Sequence, residues 1–189
     1  WYRRQRQMCI RDRNNRGNAT MIVWLPDAIE GAQAQLSRVH FDQAKYGTVT
    51  ASSCAVNGVI EAVKDGRRPD SSADTTIEAW ISSGESSNEW IQMIFDQPQT
   101  VERLGLFWVS YDQVDVPAGW RIEYLLDGNW YPFEKYITDA YGVTKDRFNT
   151  IHPAAELTCE GLRINIEAQA GKSVGLFDLE LNLRQARHS

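Results

Sequence analysis

Four oxygen-bearing side chains, Asp65, Asp70, Ser72 and Asp74, fall within ten residues of one another, and Gly66 beside the first lets the backbone curl. Carboxylates, hydroxyls and carbonyls on a loop of this kind are what a hard cation such as calcium needs, about six to eight oxygens in all. In the alternative, Asp65 and Asp70 cap turns through Asx hydrogen bonds to nearby backbone N–H groups. Nothing comparable supports catalysis. His40, His152 and His188 have no nucleophile elbow near them, and no HExxH, Walker loop or dinucleotide glycine fingerprint occurs. Most acids fall in turns or on the polar faces of strand-like runs, where a solvated carboxylate is the default. The chemistry on offer is binding.

The elements that must position these groups are short strands. The 189 residues amount to about one domain, and 42% hydrophobic with 24% charged residues is a globular composition. No apolar run approaches the roughly 18 residues of a membrane helix. Net charge is −5, with Arg3, Arg4, Arg6, Arg11, Arg13 and Arg16 crowded beside the single acid Asp12. Without those sixteen residues 14 basic face 24 acidic side chains, a balance that argues against nucleic acid and anionic membrane surfaces as partners. Residues 1–13 have neither helical nor strand periodicity and resemble translated adapter readthrough, so the chain is expected to be the carboxy-terminal piece of something longer. Residues 14–45 are expected to hold the end of a preceding domain and a linker, and 184–189 a short tail.

From residue 46 the period is two. Ile91, Met93 and Phe95 share one face of Glu89 to Asp96, and Leu104, Leu106 and Trp108 share one face of Val101 to Ser110. Trp120, Ile122 and Tyr124 alternate with Arg121 and Glu123, and Asp127-Gly128 supplies a hairpin turn into Trp130. Leu162, Ile164 and Ile166 form another apolar face; Phe177, Leu179 and Leu181 form the last. Strands wet on one side, without intervening helices, predict an antiparallel β-sandwich with Ile91, Leu106, Ile122, Ile164 and Leu179 in its core. Cys54 and Cys159 could pair or be two buried thiols, the second being the commoner state of free cysteine.

The order of motifs is recognisable. Ala51-Ser52-Ser53, Asn57-Gly58, Asp65-Gly66, Trp80, Glu89-Trp90-Ile91-Gln92, Gly119-Trp120-Arg121-Ile122 and Gly175-Leu176-Phe177-Asp178-Leu179-Glu180 together resemble the discoidin, or factor V/VIII type C, family over about residues 46–183. That resemblance implies an all-β, galactose-binding-like jelly roll. The stretches Asp65–Ser72 and Tyr141–Asn149 look like the version appended to bacterial glycoside hydrolases, with the β-L-arabinofuranosidase-like family as the parent.

A glycosidase would need two carboxylates across a cleft, one protonated and one ionised, and no such pair is evident. The resemblance therefore implies a noncatalytic module that binds polysaccharide or oligosaccharide beside the catalytic domain of a parent acting on plant polysaccharide, in the periplasm or outside the cell. The alternative is a purely structural domain that packs on that catalytic domain without a sugar site. Loop residues at the end of the sandwich where relatives bind ligands are Arg67, Arg68, Trp80, Tyr111, Asp112 and Gln113. Trp90, Trp120, Tyr124 and Trp130 read as core or sheet packing. Relatives also hold a structural calcium through the Asp of Asp-Gly and a Glu in the last strand, which match Asp65 and Glu180. With Asp70 and Ser72 these make the expected metal set.

Overall fold

A computed structural model describes residues 47–185. Residues 1–46 and 186–189, on which the expectations for a leader, a preceding domain and most of the tail fall, lie outside the described residues. Eight strands follow in chain order: β1 (Gly47–Ala51), β2 (Trp80–Ile81), β3 (Asn88–Trp108), β4 (Gly119–Leu126), β5 (Asn129–Pro132), β6 (Asn149–Ile151), β7 (Leu157–Glu167) and β8 (Gly175–Gln185). A single 3-10 turn, Ile60–Lys64, precedes β2. No described helix is long and apolar enough to cross a membrane.

Glu89–Asp96 and Val101–Ser110, read as two strands in the sequence, fall on one strand of 21 residues that ends at Trp108, two residues short of the second run. The first half of β3 pairs with β1 and β7, and the second half with β6 and β8, always antiparallel. The register against β7 jumps between Ile94 and Gln99, around the exposed Asp96, Gln97 and Pro98. Proline lacks the N–H that a ladder position would use. There β3 turns the corner from a large layer (β1, β3, β7, β4, β5) into a small one (β6, β3, β8, β2).

Between the layers lies the predicted core. Ile91, Leu106, Ile122, Ile164 and Leu179 are all buried in one cluster, each contributing about 1.5–3 kcal/mol over an exposed position. Asp127 and Gly128 take φ of 50° and 74°, the left-handed pair that a two-residue hairpin requires, and Leu126 faces Asn129 across it. Trp108 and Trp120 close the open side by donating from their indole nitrogens to the Gly142 carbonyl, at 3.3 and 2.9 Å. Gly142 is needed there, since a Cβ would lie 2.7 Å from Asn149 Oδ1.

Two bulges shift the alternation. Val101 faces Leu183 but Arg103 faces Asn182, so Glu102 is an extra residue; Phe107 faces Asp178 but Trp108 faces Leu176, so Phe177 is another. A bulge sends neighbouring side chains to the same side. Phe177 therefore does not share the face of Leu179 and Leu181. It joins Phe107, Val109, Ile81, Ala79 and Val114 in a second cluster outside the small layer, with Phe148 edge-on to Phe107 at 5.2 Å. Cys54 and Cys159 are free thiols. Burial pushes the Cys159 thiol up to about 12, whereas Cys54 is exposed.

The hydrogen bonds define two ends. Ser83 N–H donates to Ser53 Oγ, which itself donates to Glu89; Ser82 N–H donates to the Val174 carbonyl and Val109 N–H to that of Gly175. Both ends of β3 thus meet at one loop pole, built from connections 52–59, 82–87, 109–118 and 168–174. The opposite end is the corner of β3, where Gly47 pairs with Phe95 and Gln185 with Gln99.

Candidate ligand-binding pole and the loop over the small layer

The rim of the loop pole carries a tight turn. Tyr111 and Val114 exchange backbone hydrogen bonds of 3.0 and 2.9 Å, which forces Asp112 into the left-handed region at φ 52°. Asp112 and Gln113 are exposed, and Tyr111 is half-buried against the second cluster. Burial, and then the Asp112 charge, raise the tyrosine pKa, so the phenol stays a neutral donor. Lys172 reaches across from the neighbouring loop to the Asp112 carbonyl (3.2 Å) and Gln113 Oε1 (3.4 Å), and Ser173 N–H donates to the Gln113 carbonyl at 3.0 Å. Below this turn Asp115 accepts from Lys145 Nζ (2.9 Å), Ser110 Oγ (2.8 Å) and Val116 N–H (2.9 Å). Led by the Lys145 hydrogen bond, these contacts pull its carboxyl down to about 2.

The floor of the pole is polar. Glu89 is 3% exposed, and its Oε2 accepts from the Ser52 and Ser53 hydroxyls. Its Oε1 is buried without a hydrogen-bond partner. Trp80, expected as a stacking ring, is overturned in that role. Its side chain is fully buried in the core, because β2 pairs with Leu176 and Gly175 of β8, and its indole N–H is spent on the Ser53 carbonyl at 2.9 Å. Of the expected ligand residues, Tyr111, Asp112 and Gln113 stand together on the pole. Lys172 and the Glu89 floor escape sequence reading, since their partners lie on other loops and no local spacing marks them.

Arg67 and Arg68 stand apart from that turn, on the loop lying over the small layer. Arg68 Nη2 is 3.0 Å and Arg103 Nη2 2.9 Å from Glu180 Oε1, and the Arg68 guanidinium lies 5.2 Å from the Phe148 ring centroid. Asp65 Oδ1 accepts the Arg67 backbone N–H at 2.7 Å, with Arg67 Nε 3.6 Å from Oδ2. Asp74 accepts from Asp70 N–H and from Thr76 N–H and Oγ1. Ser72 is locked to Asp146 by reciprocal bonds of 2.7 Å, each backbone N–H donating to the other's side chain.

The expected calcium set does not converge. Glu180 is engaged by two guanidiniums, Ser72 by Asp146, and Asp65 by Arg67. Among the described residues no group of three or more His, Cys, Asp or Glu is arranged to hold a metal ion. Asp65 fills the turn-capping role expected of it, and Asp74 rather than Asp70 caps the second turn. Two residues before Glu180 the Phe177 bulge brings Asp178 under the same loop, 3% exposed and with Oδ1 unpartnered. Burial, then the Glu180 and Asp65 charges, push its carboxyl up to about 7.

Residues 48–177 match the family model of the F5/8 type C domain, and the chain belongs to that family. The fold is shared with a solved part of the Streptococcus pneumoniae β-galactosidase BgaA: 13% identity, 75% of this chain and 99% of that one covered, TM-score 0.60. The chitosan-binding module 1 of a chitosanase/glucanase from Paenibacillus sp. IK-5 is 21% identical, with 76% of this chain and 99% of that one covered and a TM-score of 0.56. The galactose-bound family 32 module of NanJ from Clostridium perfringens is 12% identical, with 74% and 95% covered and a TM-score of 0.57. No curated protein matches the chain.

Proposed function

We propose that this domain is a noncatalytic carbohydrate-binding module of an extracytoplasmic glycoside hydrolase, and that it takes sugar at the loop pole. The observation that carries this is the Tyr111–Val114 turn. It presents a phenol, a carboxylate and an amide on one braced rim, with the Lys172 ammonium beside them. A sugar offers C–H faces to an aromatic ring and hydroxyls to planar polar groups, so this combination suits an oligosaccharide better than an anionic polymer. The solved relatives named for chitosan and galactose binding support the ligand class. The module's work is tethering: holding polysaccharide raises its effective concentration at a linked catalytic domain without any chemistry of its own.

The test is a glycan array with the full chain, followed by calorimetry on the best ligand with Tyr111→Ala and Asp112→Ala. Each substitution is expected to weaken binding at least about tenfold, roughly 1.4 kcal/mol, with the melting temperature held. An array with no positive glycan favours the structural domain that packs on its neighbour, and full affinity in both variants puts the sugar away from the Tyr111–Val114 turn.

A further inference from the structure

Family resemblance places a calcium ion between the Asp65 loop and the last strand, yet that junction already has cations. Three carboxylates face it: Asp65, Asp178 and Glu180. Three guanidiniums answer them: Arg67 on Asp65, and Arg68 and Arg103 together on Glu180. We propose that these arginines take the place of a metal ion, so that Arg68, seated between Glu180 and Phe148, is the tie that fastens the loop to β8.

The geometry favours this assignment in three ways. A divalent ion beside Asp65 and Asp178 would add two positive charges to a junction that its own side chains already balance, next to guanidiniums that cannot give up their protons. Arg68 also does what an ion cannot: its planar group lies on the Phe148 ring at 5.2 Å, and Phe148 is edge-on to Phe107, which joins the ion pair to the second apolar cluster. Finally, Arg68 and Glu180 are 112 residues apart, so their contact closes a long loop onto the final strand. The assignment is independent of the sugar site on the pole.

The experiment is thermal unfolding of the full chain in millimolar calcium and in chelator. Wild type is expected to melt at one temperature in both, and Arg68→Ala to melt roughly 2–5 °C lower in both. Arg68→Lys keeps the charge but loses the planar fork, and is expected to fall between them. If Arg68→Ala does not fold, Glu180→Gln serves: it removes the charge that both arginines share, and is expected to lower the melting temperature equally with and without calcium. A wild-type melting temperature that calcium raises and chelator abolishes overturns the proposal, as does an Arg68→Ala or Glu180→Gln protein that melts with wild type.

Discussion

The two outer faces of the sandwich use the same strand in opposite ways. On the large layer β3 sends Trp90 and Gln92 outward, beside Arg163 of β7 and Glu123 of β4. The Arg163 guanidinium lies 3.9 Å from the Trp130 ring centroid and 5.6 Å from that of Trp90, with Nε on Gln92 Oε1 at 3.0 Å. Nothing among the described residues roofs this ladder, and it keeps its charges paired at the surface. On the small layer β3 and β8 send out Phe107, Phe177 and Asp178, and the 52–79 and 141–148 loops roof them over. Outward positions on an antiparallel strand are not inherently wet; a long connection decides the matter.

If the roofed face is a second core, Phe177→Ala should cost about 3–5 kcal/mol in denaturant unfolding, while Trp130→Ala on the open face costs far less. Equal losses would erase the distinction. The next effect is electrostatic. A carboxyl raised to about 7 in the fold, above its ordinary 3.8, holds a proton that the unfolded chain has released, so Asp178 should make stability fall as pH rises from about 4 to 7. Glu180 and Asp65 sharpen that fall and Arg68 opposes it. Asp178→Asn should flatten the profile over that window, and an unchanged slope would remove Asp178 as its source. Asp115, lowered to about 2, has the opposite sign: its stabilisation is present above the ordinary carboxylate value and is lost as pH falls through about 2.

Smaller still is the latch between the roofing loops. Ser72→Ala removes the acceptor of the Asp146 N–H and should cost about 1–2 kcal/mol, with faster amide exchange at both loops; exchange confined to residue 146 would show that the loops are held separately. Least of all is Arg163→Met on the open ladder, at no more than about 1 kcal/mol. A larger loss there would mean that the open face is organised by its arginine as firmly as the roofed face is by its phenylalanines.

The sequence told these faces apart unevenly. Alternation named all five core residues, since a strand wet on one side writes its inner face every second position. The Asp127-Gly128 turn was equally legible, because only a few residues tolerate positive φ. The bulges at Glu102 and Phe177 left no mark of their own, and so Phe177 was put on the wrong face and Asp178 passed as an ordinary surface acid. Trp80 misled for another reason: a two-residue strand is too short to alternate, and its flanks are turn-rich. The Tyr111–Gln113 rim could be named as a loop, whereas its brace, Lys172, comes from another connection about 60 residues on. The Arg68–Glu180 pair leaves no local mark because its members lie 112 residues apart.

The positions of the first and last strand ends carry a mechanical meaning. Gly47 and Gln185 both sit beside the β3 corner, at the end opposite the Tyr111 turn. A load applied between the pole and the corner runs along the strands from one end of the sandwich to the other. Ladder hydrogen bonds lie across that direction, so many of them resist sliding at once instead of opening one after another. The sandwich is thereby loaded along its stiffest axis.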